Sequence, residues 1–333
     1  MKKSLLVILS ALLVVLAACS SSSDGGKIDK IVFADAGWDS IRFHNSVAQF
    51  IIEEGMGYET DVTTGSTAAT LQGLRQGDIN AYMEVWTDNV KEVYNEALEA
   101  GDIVETSVNF DDNVQGLYVP TYVIEGDPER GIEPVAPDLK TVEDLKNYPD
   151  VFADPEDPEK GRVIGGPTGW AVSEQIAMKM DTYGLSESFN YVMPGSDSAL
   201  VASLADAYEA GEPWVGYYWS PTWVTAQYDL TLLEEPKYDP EIFDKNAGTE
   251  FPPNDVTTAV HKDLPEQAPD VVEFLKNYET SSDLTEEALS YMTENEASAQ
   301  EAAIWWLKQH QDIWTGWVTE EVAEKVKAAL ENA

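Results

Sequence analysis

The feature that most constrains the fold of this chain is an alternation of short apolar runs with segments of helical periodicity. Residues 30–35 (KIVFAD) are typical of a buried strand, and apolar residues recur at near-helical spacing over 41–52. A strand over 59–63, a helix over 68–75 and a strand over 79–85 are predicted to follow. This β-α-β-α-β order predicts a mostly parallel sheet with right-handed crossovers, and ligands bind such sheets at the carboxyl ends of the strands.

A second unit of the same kind follows. Its predicted elements, in order, are a helix opened by a capping box at Thr141, a strand over 162–165, helices over 171–183 and 198–209, and a strand over 215–219. A strand over 256–260 is assigned back to the first unit, and the rest of the chain is predicted to be helical. The pattern therefore indicates an α/β protein.

Two lobes with a ligand cleft between them are expected. Residues 29–120 together with 255–333 are assigned to the first lobe, and residues 121–254 to the second. The extended run over 116–124 is expected to carry the chain across.

The start of the chain is predicted to be a targeting segment. Residues 1–18 combine two lysines with an apolar run that is shorter than the roughly 20 residues of a membrane-spanning helix. They precede Cys19, the single cysteine, and a serine-rich tether over 19–28. This arrangement resembles a bacterial lipobox, which implies cleavage before Cys19 and a diacylglyceryl thioether anchoring the protein to the cell membrane. An ordinary secretory signal with an unmodified cysteine is the alternative; either places the domain outside the cytoplasm.

The charge balance excludes one class of partner. The chain has 61 acidic and 20 basic residues, a formal net charge of −41. Such a field repels nucleic acid, so nucleic-acid binding is excluded. It does not by itself indicate a cationic ligand, because the acids are spread along the whole chain.

The sequence gives no indication of catalysis. Its three histidines have no metal-site spacing, and it shows neither a Ser/His/Asp arrangement nor a glycine-rich phosphate loop. We therefore predict no metal, no cofactor and no enzyme activity.

Three tryptophans lie at strand ends or helix starts, where a ligand site is expected: Trp86, Trp170 and Trp219. A quaternary ammonium has no N–H group to donate, but the negative faces of indole rings attract it by about 0.5–2 kcal/mol per ring. We interpret the three rings as a cage for a cation. Strand alternation places Glu84 on the same face as Trp86.

A glycine-rich turn over 165–169 leads into the helix after Trp170. The backbone N–H groups of Trp170, Ala171 and Val172 are predicted to be free at the start of that helix. A helix N-terminus of this kind binds anions such as a carboxylate. A zwitterion with a methylated ammonium and a carboxylate would fit both features.

Four stretches carry a family resemblance, namely 85–87 (VWT), 165–170 (GGPTGW), 218–223 (YWSPTW) and 302–307 (AAIWWL). With them the chain resembles the substrate-binding proteins of glycine betaine/proline betaine ABC transporters, over almost its whole mature length. The resemblance implies a two-lobed periplasmic-binding-protein-like fold of type II, closure around the ligand, and ABC permease subunits as partners. By position, the aromatic cage carries over to Trp86, Trp170 and Trp219, and the carboxylate site to the backbone N–H groups of Ala171 and Val172.

The chain also departs from that family. Members can supply a histidine shortly after the first cage tryptophan, where this chain has Val90, and no cationic side chain follows the last cage segment, over 224–227. Other residues near the predicted mouth are expected to complete the pocket: Trp38, Asp39, Ser40, His44 and Glu84, with Asp35 beside them. Such a pocket would suit a more cationic ligand, choline or carnitine.

Several hypotheses therefore remain. The leading one is capture of a quaternary ammonium compatible solute for an ABC permease. A sensory receptor with the same fold is an alternative that sequence cannot separate from transport. A saccharide hydrolase is disfavoured because the carboxylates are scattered. The C-terminal tryptophans, which lie within a helical pattern and its end, are predicted to belong to the core: Trp305, Trp306, Trp314 and Trp317.

Overall fold

The protein is described by a computed structural model that covers residues 28–333. The predicted signal peptide, the proposed lipidation site at Cys19 and almost all of the tether lie outside the described residues. Within them, no helix is both long enough and apolar enough to cross a membrane.

The described residues form two mixed sheets. The strands are β1 (Lys30–Asp35), β2 (Glu59–Thr64), β3 (Ala81–Trp86), β4 (Ile103–Phe110), β5 (Val114–Pro120), β6 (Ala153–Asp154), β7 (Asp157–Ile164), β8 (Phe189–Val192), β9 (Gly216–Ser220), β10 (Leu230–Leu232) and β11 (Val256–His261). The first sheet has the order β2-β1-β3-β11-β4. The second has the order β10-β5-β9-β7-β6, and β8 also pairs with β7. We call each sheet, with the helices packed on it, a lobe.

The helices are α1 (Asp39–Phe50), α2 (Thr67–Gln76), α3 (Lys91–Glu99), α4 (Tyr122–Glu125), α5 (Val172–Thr182), α6 (Asp197–Ala210), α7 (Trp223–Gln227), α8 (Pro240–Asn246), α9 (Leu264–Gln267), α10 (Pro269–Asn277), α11 (Ser282–Glu294), α12 (Ala299–Gln309), α13 (Gln311–Trp314) and α14 (Glu320–Leu330). A π-helical turn, Ile51–Met56, extends α1. Short 3-10 helices span Thr87–Asn89, Val142–Asn147 and Leu185–Glu187. The capping box predicted at Thr141 is present, with Asp144 as its reciprocal partner.

The first sheet confirms the β-α-β-α-β prediction. β1 pairs in parallel with both β2 and β3, and all six residues of β3 are buried. β11 returns from the second half of the chain and pairs antiparallel with β3 and β4, as predicted for residues 256–260. The sequence did not predict β4. Because β1 and β3 are parallel neighbours, their carboxyl ends meet at one edge of the sheet and open towards the second lobe.

The position of β5 corrects the predicted crossing between the lobes. This strand pairs antiparallel with β9 and with β10, so it belongs to the second sheet, whereas we had assigned residues up to 120 to the first lobe. Six of its residues in a row, 115–120, are buried, and it finds its pairing partners about 100 residues later in the chain. The chain therefore crosses over residues 111–113, and residues 122–124, expected to be extended, are helical.

The two crossing segments, residues 111–113 and 247–255, are bonded side by side. Asn113 and Asn254 are both buried and exchange two hydrogen bonds. The Asn113 amide donates from Nδ2 to the carbonyl of Asn254 at 2.6 Å, and the Asn254 N–H donates to Asn113 Oδ1 at 3.2 Å. Paired crossing segments of this kind form a hinge about which two lobes close.

The C-terminal helices complete the core of the first lobe. Trp306 and Trp314 are fully buried and Trp317 nearly so, as predicted, and α12 packs along α1. Trp305 packs against the edge of this core and is only half-buried, and its ring stacks on Tyr291 with centroids 4.3 Å apart.

Candidate ligand-binding cleft

A pocket with about 500 Å³ of space between protein atoms lies between the lobes, part of it open to solvent. The first lobe contributes Trp38, Thr67, Leu71, Tyr82, Val85, Trp86, Asn89 and Val90, and the second contributes Trp170, Ala171, Val172, Tyr217 and Trp219. None of the side chains that line the pocket in the described part of the chain carries a charge. Mostly apolar walls with a few polar groups are typical of small-molecule sites.

Four indoles form the walls of the pocket. Trp170 meets Trp38 edge to face, with centroids 5.4 Å apart, and meets Trp219 in the same way at 5.1 Å. Trp86 packs edge-on against Phe110 with centroids 6.0 Å apart. The structure thus brings the three sequence-predicted cage residues into one pocket together with Trp38, which was expected to complete it.

Each indole owes its position to an element boundary. Trp38 is the N-cap residue of α1, Trp170 lies in the turn before α5, and Trp86 ends β3. Trp219 lies one residue before the end of β9 and shares its face with Tyr217, whose ring stacks on it at 5.8 Å. Tyr82 and Tyr217 were not among the predicted site residues, although the two-residue alternation along β3 and β9 already indicated them.

Gly169 allows the lobes to approach closely beside the indoles. Its φ of +96° is a conformation that L side chains rarely adopt. A Cβ at this position would lie 3.2 Å from the Cβ of Ser66 in the first lobe. The carbonyl of Gly169 accepts a hydrogen bond across the cleft from the N–H of Thr67 at 3.2 Å. The glycine therefore holds Trp170 against the first lobe.

The N-terminus of α5 presents two free donors. Within residues 28–333, the N–H groups of Ala171 and Val172 have no acceptor, and both residues line the pocket. The Trp170 N–H, which we also expected to be free, instead donates to the carbonyl of Pro167 at 3.1 Å because the turn folds back on itself. The two remaining N–H groups and the helix dipole favour an anion.

Glu84 is not at the mouth of the pocket, contrary to our expectation. It is fully buried, and the indole N–H of Trp38 donates to its Oε2, as does the Ser40 hydroxyl at 3.0 Å. Trp38 therefore stands between the carboxylate and the pocket. Burial raises the pKa of Glu84 to about 7, and the indole N–H of Trp38, the Ser40 hydroxyl and the indole N–H of Trp86 oppose that rise.

His44 is likewise buried rather than exposed at the mouth. Its Nδ1 is 2.8 Å from the Tyr278 hydroxyl, and its Nε2 is 3.3 Å from Thr285 Oγ1 and 3.5 Å from Glu84 Oε1. Burial lowers the pKa of His44 to about 3, so the ring is neutral at physiological pH. His44 completes the polar surroundings of Glu84 and does not line the pocket.

Asp39 and Ser40 line a smaller neighbouring pocket, which borders the opposite lobe at Asp197 and shares Trp219 with the main one. Burial and the charge of Asp39 raise the pKa of Asp197 to about 7. Asp35, expected beside the mouth, lines neither pocket. It is buried, and Arg42 Nε donates to its Oδ2 at 3.1 Å.

The described part of the chain contains no group of three His, Cys, Asp or Glu residues able to hold a metal ion.

Comparisons with known proteins place this geometry in a family. The model of the substrate-binding domain of the ABC-type glycine betaine transport system matches residues 29–309. A trimethylamine N-oxide-binding protein of Pelagibacter ubique is 25% identical over 270 residues, which cover 79% of this chain and 83% of the relative.

Solved structures show the same fold. A choline-binding protein of an ABC transporter, in complex with choline, superposes with a TM-score of 0.73 at 23% identity, over 91% of this chain and 98% of that one. Lactococcal OpuAC, closed on glycine betaine, superposes with a TM-score of 0.69 at 21% identity, over 88% of this chain and 100% of that one. At these identities the likeness concerns the fold alone.

Proposed function

The chain belongs to the family of substrate-binding domains of ABC-type glycine betaine transport systems, and from that premise we propose that it captures a quaternary ammonium compatible solute and delivers it to an ABC permease. Glycine betaine is the leading candidate. The observation that carries the proposal is the convergence of four indoles and two free backbone N–H groups on one uncharged pocket.

The cation is held by indole faces. Trp86, Trp170 and Trp219 provide the cage, with Trp38 as a fourth wall. Each ring contributes about 0.5–2 kcal/mol, and the contribution grows as closure removes water. A trimethylated nitrogen satisfies such a site fully because it has no hydrogen-bond donor to lose, whereas a primary ammonium would leave its N–H groups unpaired.

The carboxylate is held by the start of α5. The N–H groups of Ala171 and Val172 would each donate to one of its oxygens, and the dipole of this 11-residue helix adds to the attraction. Because the described lining contains no Lys, Arg or His, these donors would supply the anion recognition. Cage and helix end together match the two ends of a betaine.

Capture and closure are one event in this proposal. Each lobe supplies part of the cage, so the lobes must meet for the ligand to touch every wall. Besides the Thr67–Gly169 bond, Gln175 Nε2 of the second lobe donates to the carbonyl of Asp88 in the first at 3.3 Å, and Ser220 Oγ donates to Glu286 at 2.7 Å. The bound solute adds its own contacts to this set, and no covalent bond is made or broken.

The proposed location is outside the cytoplasmic membrane. A lipid on Cys19, followed by the tether, would hold the domain near its permease. The same fold could serve a sensory receptor, which would differ in its membrane partner and not in its pocket.

A more cationic or shorter ligand is the second candidate. The buried Glu84 behind Trp38 favours choline, which has the trimethylated nitrogen and no carboxylate. Carnitine shares that nitrogen but carries a carboxylate on a longer chain. Trimethylamine N-oxide, which the Pelagibacter relative is named for, presents the same nitrogen with an oxygen directly attached. These ligands differ in how strongly their affinity depends on the N–H groups at the start of α5.

The test is a calorimetric titration of the protein lacking residues 1–19 with glycine betaine, choline, carnitine, trimethylamine N-oxide and unmethylated glycine. We expect binding of a trimethylated ligand and none of glycine. Betaine binding at least tenfold tighter than choline supports a carboxylate site at Ala171 and Val172, and the reverse order favours the second candidate. Absence of binding by all four methylated ligands would contradict the proposed function.

A further inference from the structure

The carboxyl group of Glu84 is buried without a cationic partner. Its Oε2 accepts hydrogen bonds from Trp38 and Ser40, while its Oε1 has no hydrogen-bond partner among the described residues. His44 lies 3.5 Å from Oε1 but is held neutral by burial. An ionised carboxylate buried in this way is unfavourable unless a positive charge lies near it.

The groups that face Glu84 from the surrounding elements do not supply that charge. From α1 come Ser40 and His44, and Tyr278 and Thr285 contact His44 from the C-terminal segments. From β3 come Tyr82 and Trp86, whose indole N–H also favours the carboxylate. Burial raises the pKa of Tyr82 and of Tyr278 above the ordinary value, so both hydroxyls are neutral at physiological pH. The described residues around Glu84 are therefore uncharged.

The proposed ligand would supply the missing positive charge on the other side of the Trp38 ring. Trp38 donates its N–H to Glu84 and lines the cation pocket with its ring. Donation to an anion moves electron density into the indole ring and strengthens its attraction for a cation. The same hydrogen bond fixes the rotation of Trp38, against which Trp170 packs edge to face.

We propose that Glu84 is a positioning residue and counter-charge that acts on the bound cation through Trp38, so that capture of the cation drives the release of the Glu84 proton to solvent. This inference rests on the proposed function. Before binding, the carboxyl group is mostly protonated below about pH 7, because the site is dry and uncharged. After binding, the anion is balanced by the ligand and donation from Trp38 strengthens. By linkage, ionisation of Glu84 then raises the affinity for the cation.

A second titrating carboxyl requires a control. Asp197 faces Asp39 across the neighbouring pocket, with Arg42 as the nearby cation. Its raised pKa means that closure favours the protonated form of Asp197, so this group lowers affinity as pH rises. Because the two effects oppose each other, the pH profile of the unmodified protein alone does not report on Glu84. The ratio of the Kd of Glu84→Gln to the Kd of the unmodified protein, taken at each pH, does report on Glu84.

The experiment measures the Kd of choline and of glycine betaine by calorimetry from pH 5.5 to 8.5 for the unmodified protein, Glu84→Gln and Asp197→Asn. Glutamine keeps an acceptor for Trp38 but cannot ionise. We expect Glu84→Gln to bind within about twofold of the unmodified protein at pH 5.5 and roughly tenfold more weakly at pH 8.5. Asp197→Asn should retain the gain in affinity that comes from ionisation of Glu84 as pH rises.

Titrations near pH 6 in two buffers of different ionisation enthalpy count the protons released. A tenfold linkage corresponds to a shift of about one unit in the pKa of Glu84, so the unmodified protein should release about half a proton per ligand, a number lowered by any uptake at Asp197, and Glu84→Gln should release about half a proton fewer. A second variant, Ser40→Ala, removes a hydrogen bond that favours the carboxylate, so it should move the Glu84-dependent change to higher pH. This variant tests the proposal independently if Glu84→Gln folds poorly.

Equal losses of affinity at every pH in Glu84→Gln would assign Glu84 a purely structural role and overturn the inference. So would proton release that is the same in Glu84→Gln as in the unmodified protein. In both cases the unmodified protein still binds its ligand, and the proposed function stands. Failure of the unmodified protein to bind either cation at any pH would instead contradict the proposed function, and this inference with it.

Discussion

The indole of Trp38, in the first lobe, meets the indole of Trp170, in the second lobe, edge to face, with ring centroids 5.4 Å apart and planes at 84°. Neither lobe alone can build this corner. The contact therefore makes the cage a property of the closed protein. Under the proposed function, cation binding and lobe closure share one free energy, because a ligand that touches both rings stabilises the arrangement in which they meet.

Removal of a cage ring should weaken binding without loss of the fold. We expect Trp170→Ala and Trp219→Ala each to raise the Kd for the trimethylated ligand at least tenfold, because each loses one cation–π contact and admits water. The measurement is calorimetry. Trp305→Ala is the matched control, since Trp305 stacks on Tyr291 outside the cleft and should leave the Kd unchanged. Equal affinities for the Trp170 and Trp305 variants would remove the cage assignment.

The pair Asn113–Asn254 should contribute to stability through the hinge. Asn113→Ala removes two hydrogen bonds and leaves buried groups of Asn254 without partners, which costs about 1–3 kcal/mol per unsatisfied group. Denaturant unfolding measures this loss. The control is Asn277→Ala, whose exposed side chain donates to the Glu273 carbonyl in its own helix. A loss no larger than that of the control would show that the two crossing segments are held together by other contacts.

Lys179 should be the most sensitive cation in the second lobe. It is fully buried, pairs with Glu235 at 2.6 Å and bonds to the carbonyls of Ala247 and Thr249, so it ties α5 to the return crossing. Lys179→Met should destabilise the protein by about 3–5 kcal/mol because it leaves Glu235 buried and unpaired. Thermal or chemical unfolding measures the change.

Two further variants separate charge from packing at this site. Lys179→Met combined with Glu235→Leu should recover part of the loss. Lys237→Met, which removes an exposed ion pair with Glu250, should change the unfolding free energy by less than about 1 kcal/mol. A Lys179 variant as stable as the Lys237 variant would contradict the interpretation.

Asp197 should make stability decrease as pH rises. Its pKa is about 7 in the folded protein, because of burial and the charge of Asp39, against an ordinary value of 3.8. The folded state therefore binds the proton more tightly, and stability is lost as pH rises from about 4 through about 7. Asp197→Asn should be more stable than the unmodified protein at pH 8 and about equally stable at pH 4. Thermal melts at both values check this, and an equal difference at both would exclude the ionisation of Asp197 as its cause.

The strands and site residues that depend on local sequence pattern could be predicted. Alternating periodicity located β1, β2 and β3, and the placement of Trp86, Trp170 and Trp219 at element boundaries brought all three into one pocket. The sheet to which β5 belongs could not be predicted, because it depends on pairing with β9 about 100 residues away, which periodicity does not encode. Glu84 was placed on the correct strand face, but that pattern cannot show that Trp38 covers it. The hydrogen bond from the Trp170 N–H to the Pro167 carbonyl was not predicted, because it depends on the geometry of the turn.

The most direct test of the cage is a crystal structure of the protein lacking residues 1–19 with glycine betaine bound. We predict that the trimethylated nitrogen lies within about 6 Å of the ring centroids of Trp86, Trp170 and Trp219. The carboxylate oxygens should lie about 2.7–3.2 Å from the backbone nitrogens of Ala171 and Val172. A betaine bound elsewhere, or held with its nitrogen outside the indole walls, would contradict the account.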